Sequence, residues 1–451
     1  MRVLSFHGYL LRGTGSNVYN ASLAHALARL GHEVQMLCQD RRAAELSWVG
    51  GSGPGTVTVH VPDIGGLLPV YVADRYEGFE VKTFPELSDQ ELNRYIDANV
   101  SAVRAVVEQA GEPDAALANH LIMGPVVLAR AGLRFATKVH GSDLSYTVRP
   151  HPGRFVPFAR EGSDAASALL VGSRHTAEDL WATVGDPELP ARTRLGPPGV
   201  DTQDFRPAAK EDALARLTDL AERIESDTHD DSFGRDGPAA AAALRHWAGG
   251  SPRVLFVGKL LRNKGVDLLV AAWDAVRREH PRARLLLVGF GELRGDLEEQ
   301  IAELDEPAAA SIAMSGRLEH AEVAEVMPAA DVFVMPSIFP EAFGMVAAEA
   351  AACGVPPVSA AHSGMLEVSR ELAVAVPEHA ELLSFEVGPD SVGEITARIN
   401  GWLALPPTER ERAGRALAAR VDELWSWESV AEGVIAASNG DLEGLPVVPS
   451  D

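Results

Sequence analysis

Short apolar segments and amphipathic helical segments alternate along this chain from Arg2 to Val184, break at Pro197-Pro-Gly-Val-Asp201, and resume at Arg253. Apolar runs of three to six residues, each followed by a stretch of helical period, bury both faces only in a parallel sheet covered by helices. The spacing predicts strands over 2–6, 33–38, 57–61, 115–118, 135–139 and 168–171, with helices over 18–30, 89–109, 123–131 and 176–184. After the break it predicts strands over 254–257, 284–288, 312–314, 332–335, 357–359 and 373–376. Helices are expected over 266–278, 292–304, 321–327 and 345–352, then over 392–405, 408–424 and 427–437. At 451 residues the chain exceeds one ordinary core, so the expected fold is α/β with two doubly wound parallel-sheet domains.

The Ala- and charge-rich stretch 208–250 reads as a helix, an acidic loop and a second helix. Asp227, His229, Asp230 and Asp231 carry metal-ligand atoms, but no glycine-turned calcium loop surrounds them, and a solvated loop is the expectation. Asp and Glu number 64 against 40 Lys and Arg, a formal net charge of −24. That field excludes nucleic acid and anionic membrane as main partners. Any phosphate must be held by a local basic site or by helix ends. Lysine stands only at Lys82, Lys138, Lys210, Lys259 and Lys264, and two of the five lie within one short loop. Cys38 and Cys353 sit in apolar segments, which fits a reducing compartment. The first residues read as a strand and not a signal peptide, and no run reaches ~18 apolar residues, so a cytoplasmic protein is expected.

Glu341 and Glu349 flank the run Ala-Phe-Gly-Met-Val-Ala-Ala, where an apolar strand closed by Pro336 gives way to a helix beginning after Gly344. A helix start offers free N–H groups and a positive dipole end to an anion. Two carboxylates beside such a site would repel phosphate unless they bind hydroxyls of a sugar or ribose, and this points to a nucleotide-sugar enzyme. Gly258-Lys-Leu-Leu-Arg-Asn-Lys-Gly265 follows a strand and precedes a helix, so Lys259 and Lys264 suit a diphosphate. Gly289 and Gly291 form part of a dinucleotide fingerprint, with Arg294 where a third glycine belongs. They are read as close approach of backbone to a flat base or ribose, with a plain tight turn as the alternative. Arg317 and Leu318 follow another strand end and are expected to line the same pocket. Gly13-Thr-Gly15 is a second candidate anion cradle, and His140-Gly-Ser-Asp143 and His120 close two further strands. His362 to Glu367 forms a loop-to-helix junction placed to order Glu341. No Ser-His-Asp set or zinc spacing occurs, and no metal is required.

Together these motifs resemble the retaining glycosyltransferases of the GT-B fold, family 4 (glycosyl transferases group 1). The carriers are the early glycine turn with Leu27-Ala-Arg-Leu-Gly-His-Glu-Val34, His140-Gly-Ser-Asp143, Pro198-Gly-Val-Asp201, Phe256-Val-Gly-Lys-Leu260 with Lys264-Gly265, Val288-Gly-Phe-Gly291, and Pro340-Glu-Ala-Phe-Gly344 through Glu349. The resemblance covers nearly the whole chain. It implies two Rossmann-like domains facing a cleft: an acceptor domain over 1–205, to which a final helix at about 425–440 crosses back, a donor domain over 206–424, and a flexible tail over 441–451. It implies that Glu341 contacts the donor sugar and Glu349 the nucleotide ribose, with backbone near Phe343, Gly344, Met345 and Val346 meeting the sugar or diphosphate. Lys259, Lys264 and Gly258 would hold the leaving diphosphate, although Lys259 replaces the family's usual arginine. Gly15 would approach from the first domain, where Thr14 interrupts the usual double glycine. Glu341, His140, Lys264 and Lys259 are the candidate catalytic residues.

Retention of configuration is also implied by the resemblance, with a nucleotide-sugar co-substrate (UDP- preferred, GDP- the alternative) and no cofactor required. The acceptor is expected to be a small soluble hydroxyl compound, since no basic amphipathic surface marks a membrane partner. Tyr9, Arg12, Asn17, His120, Asp143, Arg149 and Arg174 are its candidate contacts, and Asn17-Val-Tyr19 is similar to members that act on small phosphorylated polyols. A homodimer is left open. The rival readings are a sugar-nucleotide epimerase or phosphorylase on the same fold, or a non-catalytic nucleotide-sugar-binding protein.

Overall fold

The computed structural model describes all residues except 13–14, 47, 51–52, 72–75, 77, 227–234 and 450–451. Part of the first glycine turn and the whole acidic loop at 227–231 therefore lie outside the described residues. The chain divides into two compact units, Met1–Gly199 with Trp427–Asp451, and Val200–Ser426.

The first unit is built on β1 (Arg2–Phe6), β2 (Glu33–Leu37), β3 (Thr56–His60), β6 (Ala115–Asn119), β7 (Ala136–Val139), β8 (Ala168–Val171) and β9 (Thr193–Leu195), joined in the order β3-β2-β1-β6-β7-β8-β9. All pairs are parallel, and Val3 lies opposite both Val34 and Ala115. The order reverses between β1 and β6, and a doubly wound sheet opens a ligand crevice at the carboxyl ends of its strands at such a point. A separate parallel pair, β4 (Leu67–Val70) with β5 (Glu80–Thr83), was not foreseen, because Pro69 and mixed polarity hide both strands from a periodicity reading. The helix Pro152–Ala165 was missed for a similar reason: Pro157 and two glycines interrupt its pattern.

The tail over 441–451, expected to be flexible, is pinned in its described part. Leu195 donates its N–H to the Pro446 carbonyl at 2.8 Å, Val447 bridges Arg194, and Val448 is buried. β9 is an edge strand whose unpaired backbone groups need a cover, and the tail supplies it. The helix Trp427–Ser438 packs on Ser16–Arg29, with the Trp427 ring edge-on to Tyr19 and Arg29 paired to Glu428 at 2.9 Å.

The second unit holds β10 (Arg253–Val257), β11 (Arg284–Val288), β12 (Ile312–Gly316), β13 (Val332–Met335), β14 (Pro357–Ala360) and β15 (Ser384–Phe385), all parallel in the order β12-β11-β10-β13-β14-β15. Three tryptophans fill its core with their N–H groups satisfied: Trp247 donates to Val254 O, Trp273 to Ser311 Oγ and Trp402 to Leu382 O. Residues 373–376 are not a strand. They close the helix Ser363–Ala375, and the sixth strand is β15. A four-residue apolar run fits a buried helix end as well as a strand, and here Val374 is exposed while Leu372 and Val376 are buried.

Candidate active site

In the second unit the sheet's carboxyl end carries five loops that the sequence singled out, after β10, β11, β12, β13 and β14. The loop after β13 turns back at Pro336 and is fastened by Asn263, whose carbonyl accepts the N–H groups of Ile338 and Phe339 at 3.0 and 3.2 Å. Gly265 makes this approach feasible. Its φ is +64°, and a Cβ there would overlap the Pro336 carbonyl. The same geometry brings Lys264 to Glu341, where its ammonium donates directly to Oε1. Ser337 donates to the same carboxylate oxygen at 2.9 Å. The Glu341 backbone is held in turn by the Ser363–Ala375 helix start: its N–H donates to Ser363 Oγ at 3.0 Å, and its carbonyl accepts from Gly364 N–H at 3.0 Å. The expectation that the 362–367 junction orders Glu341 therefore has a concrete form.

Gly344 precedes the helix Met345–Ala352 with a φ of +128° and no side-chain cap, so the first amides of that helix are free to meet an anion. The Phe343 ring is buried edge-on against Trp425, which leaves only its backbone at the loop surface. Glu349, about one turn along the helix, is 4% exposed and accepts a hydrogen bond from His320 Nε2 at 2.8 Å. Lys259 is exposed and its side chain makes no hydrogen bond or ion pair among the described residues, while Arg317 is paired to Glu319 at 3.0 Å and Leu318 is buried. Gly289 and Gly291 do permit a close backbone approach, but to backbone. Their Cβ positions would overlap the carbonyls of Gly258 and Leu260. Phe290, Ile338 and Phe339 stand exposed beside these loops, and neither they nor His320, Ser337 and Ser363 were marked individually by sequence reasoning.

In the first unit the ends of β1, β6 and β7 gather Tyr9, Asn17, His120, His140 and Asp143 with an unforeseen member, His7. His7 Nε2 faces Leu10 O at 2.9 Å and Asn17 Oδ1 at 3.0 Å; Asn119 bridges His7 Nδ1 at 2.8 Å and His140 Nε2 at 2.6 Å. The His120 ring packs 4.4 Å from Tyr71 and 4.9 Å from His140, and its Nε2 meets Ser16 Oγ at 3.1 Å. Burial holds His7 down at about 4 and pushes His120 and His140 well below the ordinary histidine value. Asp143 is fully buried, and burial raises it to about 6 against the N–H groups of Leu121 and Leu144, which favour the anion. Arg12, Arg149 and Arg174 do not bring free guanidinium groups here: they are held by Asp40 and Glu45, by Asp179 and by Glu178. Gly15 begins the helix Ser16–Arg29 at φ +61° with open space around it. Among the described residues no three His, Cys, Asp or Glu groups form a metal site, and no helix is long and apolar enough to cross a membrane.

The two halves match two family profiles, Glycosyltransferase Family 4 over residues 13–204 and Glycosyl transferases group 1 over residues 245–416. A D-inositol 3-phosphate glycosyltransferase of Segniliparus rotundus is 34% identical over 58% of this chain and 49% of its own length, so the chain spans about half of that relative. A GDP-mannose-dependent monoacylated alpha-(1-6)-phosphatidylinositol monomannoside mannosyltransferase of Corynebacterium glutamicum is 28% identical over 65% of this chain and 66% of its own. Among solved structures, Anabaena HepE in complex with UDP and glucose aligns over 99% of this chain and 100% of its own, with a TM-score of 0.62 at 17% identity. Two parallel α/β units, each matched by its own glycosyltransferase profile, place this chain in the family 4 glycosyltransferases of the GT-B fold.

Proposed function

We propose that this enzyme transfers a hexose from a nucleoside-diphosphate sugar to a hydroxyl of a small phosphorylated polyol, with retention of anomeric configuration. The observation that carries the reading is the Lys264–Glu341 pair, seated by Ser337, Ser363 and Gly364 beside the open start of the helix that bears Glu349. Cleavage of the anomeric bond develops positive charge on the sugar and negative charge on the diphosphate. Lys264, Lys259 and the amides of Gly344 to Val346 stabilise the anion. An arriving diphosphate competes with Glu341 for Lys264, which frees the carboxylate to orient the sugar. Glu349 takes the ribose hydroxyls. Glu341 is a positioning carboxylate and not a glycosidase-type nucleophile. The inositol-phosphate acceptor in the name of one relative supports the polyol class. A UDP-sugar is the preferred donor, and the GDP-mannose in the other relative's name supports a GDP-sugar as the second reading.

Incubation with UDP- and GDP-hexoses, each alone and with inositol phosphates, tests this. A glycosylated acceptor plus free nucleoside diphosphate is the expected product. An isomerised donor formed without acceptor would instead assign an epimerase, and an unchanged donor throughout would leave a binding protein.

A further inference from the structure

We infer that the chain Asn17–His7–Asn119–His140 fixes His140 as the neutral tautomer with its proton on Nε2, so that its Nδ1 accepts a ligand hydroxyl and repels a phosphate oxygen. The Leu10 carbonyl can only accept, and His7 Nε2 lies 2.9 Å from it, so that nitrogen carries a proton. The same N–H faces Asn17 Oδ1, whose amide is oriented independently because its Nδ2 donates to the Arg12 carbonyl at 2.8 Å. A neutral imidazole has one N–H, so His7 Nδ1 accepts. Its partner at 2.8 Å must then be the Asn119 amide nitrogen, which turns the Asn119 oxygen toward His140. At 2.6 Å from that oxygen, His140 Nε2 donates, and Nδ1 is left bare.

Turning the Asn119 amide over would place its oxygen on His7 Nδ1 and require a doubly protonated His7. Burial opposes that charge, and it opposes one on His140 as well. His120, Lys138 and His7 surround His140 and disfavour a further cation, Tyr19 meets the ring edge-on at 5.1 Å, and the nearby Asp143 carboxylate is engaged by the N–H groups of Leu121 and Leu144. Among the described residues His140 Nδ1 makes no hydrogen bond. His140 follows β7, one of the strands whose carboxyl ends flank the reversal of strand order. His7 and Asn119 are therefore positioning residues, acting through His140. The ligand half of this inference rests on the transferase reading, whereas the tautomer does not.

Selective ¹⁵N-histidine labelling reads it directly, with the His140 signals identified by their loss in His140→Gln. At pH 7 the wild type is expected to show a protonated Nε2 and a bare Nδ1. A proton on Nδ1, or an imidazolium, would overturn the relay without use of any variant. In folded Asn119→Leu the acceptor is gone and the Nε2-protonated fraction should fall; an unchanged tautomer would show that the chain does not set it. Saturation with UDP-glucose, and separately with GDP-mannose, should shift Nδ1 while Nε2 holds. If one of them binds and Nδ1 stays put, the ligand half is wrong while the relay stands.

Discussion

His320 Nε2 stands 2.8 Å from Oε1 of Glu349, the only ion-pair partner of that buried carboxylate among the described residues. Partial burial works against a charged ring, but the hydrogen bond and charge of Glu349, with Asp204 and Asp201 nearby, outweigh it and raise the His320 pKa above 6.5. A pKa higher in the folded than in the unfolded chain stabilises the fold fully below the unfolded value, and the gain is lost as pH rises through the folded one. The melting-temperature advantage of wild type over His320→Ala should thus be largest near pH 5.5 and shrink toward pH 8.5. The ring is 57% exposed, so the effect is modest, roughly 0.5 kcal/mol. A difference that stays flat across this range would show that the pair is not ionic.

Glu341→Gln keeps the size of the side chain and the Ser337 hydrogen bond but removes the charge that engages Lys264. Because the carboxylate is assigned to the sugar and not to the nucleotide, kcat should fall about 100-fold, near 2.7 kcal/mol of transition-state stabilisation. Affinity for the free nucleoside diphosphate should hold or tighten, since Lys264 is released to it. Titration calorimetry beside initial rates separates the two quantities. Loss of nucleotide binding in step with turnover would contradict the assignment.

The parts of this fold that were legible are those with local punctuation. Val332–Met335 and Met345–Ala352 were bounded to the residue because Pro336 closes the strand and Gly344 and Gly354 bracket the helix. The strand placed at 373–376 is also closed by a proline, Pro377, but nothing separates its start from the helix that begins at Ser363. The candidate site divides in the same way. Glu341, Lys264 and the 362–367 junction lie in recognisable strand-to-helix turns, whereas Asn119 meets His7 across 112 positions and His320 meets Glu349 across 29, contacts that no local pattern encodes. His7 could have been found. It follows the first strand as His140 follows β7, and the reasoning applied to one extends to the other. The glycines at 289 and 291 were noticed for the right property, close approach, but the sequence holds no information on whether ligand or backbone does the approaching.

That distinction is measurable. Gly289 holds φ +145°, and a Cβ there would overlap the carbonyl of Gly258 on the adjacent loop. Gly289→Ala must therefore move backbone against backbone, and a loss of about 2–4 kcal/mol is expected in denaturant unfolding of the second unit. Gly15→Ala is the control. Its φ of +61° is also left-handed, but among the described residues nothing lies within 4 Å of the added carbon, and about 1 kcal/mol is expected. Equal, small effects at both positions would place the role of Gly289 in ligand contact and not in loop packing.

Lys138 supplies a prediction whose sign depends on pH. The side chain is 2% exposed, donates to the Gly196 carbonyl, lies 5.2 Å from the centroid of the Tyr19 ring, and has no carboxylate partner among the ion pairs of the described residues. Burial pushes its pKa down to about 7 from an ordinary 10.5. Between those values the unfolded chain holds a proton that the folded chain lacks, so this group makes stability rise with pH. Below about 7 the full cost of a buried ammonium is present. Lys138→Met removes that cost and should stabilise the first unit at pH 6.5 by on the order of 1–2 kcal/mol. At pH 9.5 the wild-type amine is neutral in the fold and still satisfies the Gly196 carbonyl, which methionine leaves unpaired, so the difference should vanish or reverse. Thermal unfolding of both proteins at the two pH values decides it. An offset of the same sign and size at each would mean that the Lys138 amine does not change charge on folding.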